Sequence, residues 1–223
     1  PRQASQTLIT HILEAMEKEP ERPFTIALSG GTTPAVLFEV WEREFAAYTP
    51  WARLYFYWVD ERCVPPTDAQ SNFGLADRLL FSKINLPASH YYRIVGEGAP
   101  GEEAILYSSL VKATVPTVDD VPIFDFVLLG VGEDGHTSSV FPVRKDLLTA
   151  AEPYAVSVNP YNKTVRICMT GKPMIEAKHT CFLVAGENKC SILKKILDKE
   201  QEDIYPASYI WHHARMPKLY ASL

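Results

Sequence analysis

Glu133, Asp134 and His136 stand within four positions of one another, with Gly135 before the histidine. An imidazole titrates near neutrality and can take a proton, and a carboxylate two residues away can orient it. A solvated acidic turn that carries a histidine has the same composition, so this spacing leaves two readings open. A second group, Asp60-Glu61-Arg62, sets three charges side by side, as a binding site or as a surface ion-pair cluster. A third, Ser29-Gly30-Gly31-Thr32-Thr33, brings hydroxyls together with glycine amides that can turn inward. Ahead of a helix whose first residue would be Pro34, that set suits an anion such as a phosphate. It is neither a Walker A loop nor a G-x-G-x-x-G fingerprint, and an ordinary strand-to-helix turn is the alternative. Two isolated cations complete the candidates. Lys189 falls in the first turn of a predicted helix, where it opposes the helix dipole unless an anion is shared there. Arg166 falls inside a predicted strand, where arginine needs a partner.

The elements that must position these residues follow from hydrophobic pattern. Phe124–Leu129 is an apolar run of the kind found in strands buried on both faces, and it empties into Gly130-Val131-Gly132. Phe24–Leu28 is a second such strand, ending at Ser29. Trp51–Val59 is an aromatic strand candidate that ends at Asp60. Further strands are expected over Tyr91–Val95, Tyr154–Val158, Thr164–Thr170 and Thr180–Ala185. Helices are expected over Ser5–Lys18, Ala35–Phe45, Ser71–Phe81 with Ser71 as N-cap, Gly101–Thr114, Gly171–Ala177 and Glu187–Lys199. Pro206 to Leu223 closes the chain with a helical turn and a last strand. Strands alternate with helices, which predicts an α/β protein with a mostly parallel sheet. In such sheets ligands bind beyond the carboxyl ends of the strands, where every candidate group except Arg166 falls.

Composition bounds the rest. The 223 residues are 47% apolar and 22% charged, with a net charge of −5 and no basic block. Nucleic acid and anionic membranes are therefore unsuited as main partners. No repeat or long linker divides the chain, so one domain over residues 1–223 is expected. Cys63, Cys168, Cys181 and Cys190 show no C-x-x-C spacing and read as free thiols in a reducing, cytoplasmic setting. No His/Cys pattern suggests a metal. His11, His90, His179, His212 and His213 lack the glycine and carboxylate neighbours of His136. The sequence opens at Pro1 without an initiator methionine or a signal pattern and reads as trimmed, which leaves open whether a strand precedes it.

The motifs, taken in order, resemble the 6-phosphogluconolactonase family. Leu28–Pro34 is similar to its phosphate loop, with Thr32 where a serine or lysine is usual. Asp60-Glu61-Arg62, followed by Pro65 and Ser71-Asn72, is similar to its second motif, and Leu129–Pro142 to its third. Arg166 and Lys189 match two weaker positions. The resemblance implies a three-layer α/β/α sandwich with a Rossmann-like sheet, related to the sugar-phosphate isomerases and deaminases. It implies hydrolysis of 6-phospho-D-glucono-1,5-lactone to 6-phosphogluconate, without a cofactor, by a monomer or weak homodimer. His136 would be the general base, Asp134 would either orient it or hold the substrate's ring hydroxyls, and Arg62 would meet charge on the lactone oxygen. Ser29, Gly30, Gly31, Thr32, Thr33, Asp60, Glu61, Arg166 and Lys189 would bind the substrate and its phosphate. An amino-sugar-phosphate isomerase/deaminase is the alternative. In that group the histidine has a glutamate five positions later, where this chain has Phe141.

Overall fold

In the run Phe24–Leu28 all five residues are buried, as a strand covered on both faces requires. A computed structural model describes residues 1–223. In chain order the elements are α1 (Arg2–Lys18), β1 (Phe24–Leu28), α2 (Thr32–Val40), β2 (Leu54–Trp58), β3 (Asp60–Arg62), α3 (Asn72–Ala76), α4 (Pro100–Thr114), β4 (Thr117–Val118), β5 (Val121–Pro122), β6 (Phe126–Leu129), β7 (Tyr154–Val158), β8 (Val165–Met169), α5 (Gly171–Glu176), β9 (His179–Ala185), α6 (Cys190–Leu197), α7 (Pro206–His213) and β10 (Pro217–Ser222).

The central sheet has five strands in the order β10-β9-β6-β1-β2, and every pairing is parallel. Helices flank it, with α1 and α2 packed together and against its strands. The α/β sandwich expected from the alternating pattern is the fold observed. From β1 the chain crosses to β2 on one side and later returns to β6 on the other. The carboxyl ends of β1 and β6 therefore splay their loops apart, which makes the gap between them the natural place for a ligand.

A second, antiparallel sheet, β3-β8-β7, was not expected. Asp60-Glu61-Arg62 is one of its strands and not a loop. Val59 is the joint between the sheets. Its amide donates to Leu28 O at 2.9 Å, and its carbonyl accepts from Met169 N at 2.6 Å. The chain thus passes from one sheet into the other in a single residue, so sequence pattern shows no break.

Several boundaries differ from expectation for local reasons. Tyr91–Val95 makes only an isolated bridge, Tyr91 to Phe56. Ring stacking holds the segment instead: Tyr92 lies 5.0 Å from Tyr57 and Tyr91 5.5 Å from Phe81. The strand expected from Trp51 begins with a 3₁₀ turn over Trp51–Arg53. The helix expected over Glu187–Lys199 is a 3₁₀ turn, Glu187–Lys189, followed by α6. The hairpin of β4 and β5 and the 3₁₀ segment Pro142–Leu148 were not foreseen. Ser71 caps α3 as expected, its hydroxyl accepting from Gly74 N at 3.0 Å.

Candidate active site

The loop after β1 forms one wall of a cleft of about 200 Å³ at the carboxyl ends of β1, β6 and β9. Gly31 is the N-cap of α2 at φ 107°, a left-handed conformation that glycine takes without penalty. The helix begins at Thr32, so Pro34 is its third residue and not its first. That correction leaves the Thr32 and Thr33 amides in the first turn, without partners inside the helix. Thr32 and Thr33 line the cleft together with Ser29, Gly30 and Gly31. Ser29 Oγ donates to Leu128 O at 2.7 Å, which ties this loop across to β6. Gly30 has no room for a side chain, since a Cβ there would stand 1.8 Å from Asn72 Oδ1.

The loop after β6 forms the second wall. Gly132 N donates to His136 O at 2.9 Å, and Thr137 Oγ1 donates to Gly130 O at 2.9 Å. This closes a tight loop that puts His136 over Gly132. His136 Nδ1 lies 2.5 Å from Asp134 Oδ1. Because an ionised carboxylate only accepts, Nδ1 carries the proton that faces it, and Nε2 is the lone-pair atom whenever the imidazole is neutral. Burial alone would raise the Asp134 carboxyl. Hydrogen bonds from the His136 side chain and amide and from Tyr161, with the charge of the imidazole, bring it down to about 2. The His136 ring packs on Phe141, with centroids 4.6 Å apart.

The third wall comes from the joint between the sheets. Arg62 and Arg166 are register partners on β3 and β8, so their side chains leave the sheet on the same face, near enough for the charge of Arg62 to act on Arg166. Arg166 Nη1 lies 3.4 Å from Asp60 Oδ2, which also accepts from Ser139 Oγ at 2.6 Å. The Nε atoms of Arg62 and Arg166 are buried without partners. Burial depresses the basicity of Arg166, Asp60 opposes that, and the charge of Arg62 adds to it. An anion in the cleft would relieve both cations. Lys189, at the end of the turn after β9, reaches the same cleft and has no carboxylate partner within the chain.

The structure brings together Ser29, Gly30, Gly31, Thr32, Thr33, Asp60, Arg62, His136, Arg166 and Lys189. Asp134 stands behind His136. Glu61, expected among the substrate contacts, is placed elsewhere. It is 2% exposed. Its Oε1 accepts from the amides of Arg62 and Asn72, and its Oε2 from the Phe73 amide and Ser71 Oγ, all at 2.7–3.0 Å. Every lone pair is committed to holding the start of α3 against β3. Two cleft residues had drawn no role, Asn72 and Ser138. Asn72 Nδ2 donates to Asp60 Oδ1 at 3.1 Å and keeps that carboxylate oriented. Ser138 sits at φ 54° with Oγ donating to Val59 O at 2.7 Å, and Ser139 Oγ is bonded to Asp60, so neither hydroxyl has an imidazole partner. Tyr161, bonded to Asp134 at 2.8 Å, also went unnoticed, because nothing in a turn sequence indicates what its tip will touch. No three His, Cys, Asp or Glu side chains converge in a metal-binding group.

The family model described as glucosamine-6-phosphate isomerases/6-phosphogluconolactonase matches residues 1–219. The chain is 39% identical to the 6-phosphogluconolactonase of Treponema pallidum over 77% of its own length and 71% of that protein's. It is 37% identical to the 6-phosphogluconolactonase of Haemophilus influenzae, over 84% and 80% of the two lengths. The crystal structure of 6-phosphogluconolactonase from Leishmania guyanensis superimposes with a TM-score of 0.84 at 28% identity, covering 97% of this chain and 91% of that one. With the motifs, the sheet order and these relatives in agreement, the chain belongs to the glucosamine-6-phosphate isomerase and 6-phosphogluconolactonase family.

Proposed function

We propose that the protein is a 6-phosphogluconolactonase, which hydrolyses 6-phospho-D-glucono-1,5-lactone to 6-phosphogluconate in the oxidative pentose phosphate pathway. One observation carries the reading: a single cleft holds an anion cradle on one wall and an oriented imidazole on the other. The substrate's phosphate is assigned to Ser29–Thr33, the first turn of α2, and Lys189, with Arg166 beside them. Holding that remote group places the lactone carbonyl near His136. Nε2 of His136 takes a proton from water as the water oxygen bonds to the carbonyl carbon. Arg62 meets the negative charge that develops on the carbonyl oxygen. When the bond from that carbon to the ring oxygen breaks, the proton passes from the imidazolium to the departing oxygen. Asp60 and Glu61 support the site, the first by orienting Arg166 and the second by fixing α3.

The hydrolase is favoured over an isomerase/deaminase by Phe141. Its ring fills the space beside His136, where a second carboxylate would be needed to relay a proton. The single apolar cluster that runs through 52 buried residues supports reading residues 1–223 as one domain. No helix is long and apolar enough to cross a membrane, and the free cysteines suit action in the cytoplasm. The test is direct. Purified protein is assayed with the phosphorylated lactone, after subtraction of spontaneous hydrolysis, and with glucosamine 6-phosphate. Lactone hydrolysis without ammonia release is expected, and ammonia release at a comparable rate would sink the reading.

A further inference from the structure

Asp134 is gripped from two sides. Its Oδ1 accepts from the His136 ring at 2.5 Å and from the His136 amide at 3.2 Å, while Oδ2 accepts from the Tyr161 hydroxyl at 2.8 Å. Tyr161 lies at the tip of the turn joining β7 to β8 and is 71% exposed. Its ring thus adds little to the core, yet its hydroxyl points at the one carboxylate that touches His136.

The turn is built to hold it there. Asn159 Oδ1 accepts from the amides of Tyr161 at 2.9 Å and Asn162 at 3.2 Å. Asn162 Oδ1 in turn accepts from the Thr164 amide at 3.1 Å and the Thr164 hydroxyl at 2.8 Å. Lys163 closes the turn in the left-handed region, φ 60°, with its amide on Asn159 O at 3.0 Å. Side chains that bond their own backbone in this way make a rigid tip out of polar residues. A carboxylate held only by His136 could rotate and present either oxygen, or swing to solvent. Held also by Tyr161, it keeps one orientation, and the imidazole keeps one tautomer.

We propose that Tyr161 is a positioning residue: through Asp134 it holds His136 with the proton on Nδ1 and the Nε2 lone pair toward the cleft. The kinetic part of the test rests on the lactonase reading, and the spectroscopic part does not. The charged groups that line the cleft with His136 are Asp60, Arg62, Arg166 and Lys189, and Glu133 adjoins Asp134 in the chain; none of them is altered in the variants used.

The experiment compares the full chain with Tyr161→Phe, which keeps the exposed ring and leaves folding undisturbed. Heteronuclear NMR of histidine-labelled protein should show His136 in the Nδ1–H form in the wild type and as a mixture of tautomers in Tyr161→Phe. With the phosphorylated lactone, kcat should fall about tenfold, the scale of one hydrogen bond to a charged group, at unchanged KM. A purely structural role would not move the tautomer. Asn159→Ala keeps the hydroxyl but loosens the turn, and should give the same changes to a smaller degree. Wild-type tautomer and wild-type kcat in Tyr161→Phe would overturn the proposal. If the wild type does not hydrolyse the lactone, the functional reading fails, and the tautomer measurement still decides the role of Tyr161.

Discussion

At the scale of single residues the proposed mechanism separates an anchor from a base. His136→Ala should lose about 10²–10⁴-fold in kcat, the usual contribution of a general base. His136→Asn should be nearly as poor, because an amide cannot accept the proton. Product phosphate should bind His136→Ala almost as well as wild type, since the anchor lies on the opposite wall. Near-normal kcat after subtraction of spontaneous hydrolysis would remove the base assignment and turn attention to Asp134. Lys189→Ala tests the anchor. A charge-assisted hydrogen bond is worth about 1.5–3 kcal/mol. The variant should therefore lose roughly ten- to a hundredfold in kcat/KM with the phosphorylated lactone. Unphosphorylated gluconolactone should be affected far less, and equal losses with both would take Lys189 out of the phosphate site. These two residues stood out in the sequence because each breaks a local rule. Glu61 stood out as well, yet it serves α3, because a charge cluster does not reveal which member a helix N-terminus will claim.

At the scale of elements, strand ends and glycines set the geometry. The loop after β6 can lay His136 against Asp134 only while Gly132 lacks a side chain. A Cβ there would come 2.1 Å from His136 Nδ1 and 2.6 Å from Asp134 Oδ1. Gly132→Ala should therefore displace the imidazole while leaving the sheet intact. Overpacking of this kind costs about 1–3 kcal/mol, so urea denaturation should show a folded but weakened protein, with kcat reduced toward that of His136→Ala. A variant of normal activity would mean that the loop relaxes around the methyl group and that the close approach has no catalytic role. The Gly-rich stretch was legible as a turn, but its contact with the ring was not. That contact depends on the hydrogen bond from Gly132 N to His136 O, which closes the loop upon itself.

At the scale of the whole molecule, α1 is bound to the far edge of the central sheet through a group of titratable side chains. His11 of α1 lies 2.9 Å from Lys218 Nζ and 2.6 Å from Tyr220 OH, both on β10. The ammonium only donates, so Nε2 of His11 accepts and Nδ1–H donates to the tyrosine. His179 of β9 packs edge-on against His11 at 4.8 Å and stacks on Phe126 at 4.6 Å. Burial, then the nearness of His11 and Lys218, lowers His179 from its ordinary 6.5 to about 4, with Asp125 opposing and Lys178 adding slightly. The folded state thus resists a proton that the unfolded chain accepts. Stability should be full above pH 6.5 and should fall as the pH drops from 6.5 toward 4. His179→Phe keeps the stack on Phe126 and removes this titration. The urea midpoint of the variant should fall less steeply across that window, although His11, also lowered by burial, keeps part of the slope. Parallel midpoint curves for the two proteins would show that His179 has no part in the acid sensitivity.

The sequence by itself determined the parallel sheet and the edge of it at which the candidate groups gather. Apolar runs such as Phe24–Leu28 and Phe126–Leu129 can be satisfied only inside a covered sheet, and the polar residues that follow them must then emerge at its carboxyl edge. Local pattern also gave the Ser71 cap and the glycine turns, since these depend on neighbours a few positions away. What the tertiary structure alone decided are the contacts between distant segments: Arg62 beside Arg166, Asp60 under Ser139, Glu61 given over to α3, and Tyr161 on Asp134. Each rests on the turn of the chain at Val59 or on the reach of the hairpin between β7 and β8. Neither leaves a periodic trace, because one is a single residue shared by two sheets and the other is a loop tip whose partner lies 27 residues away.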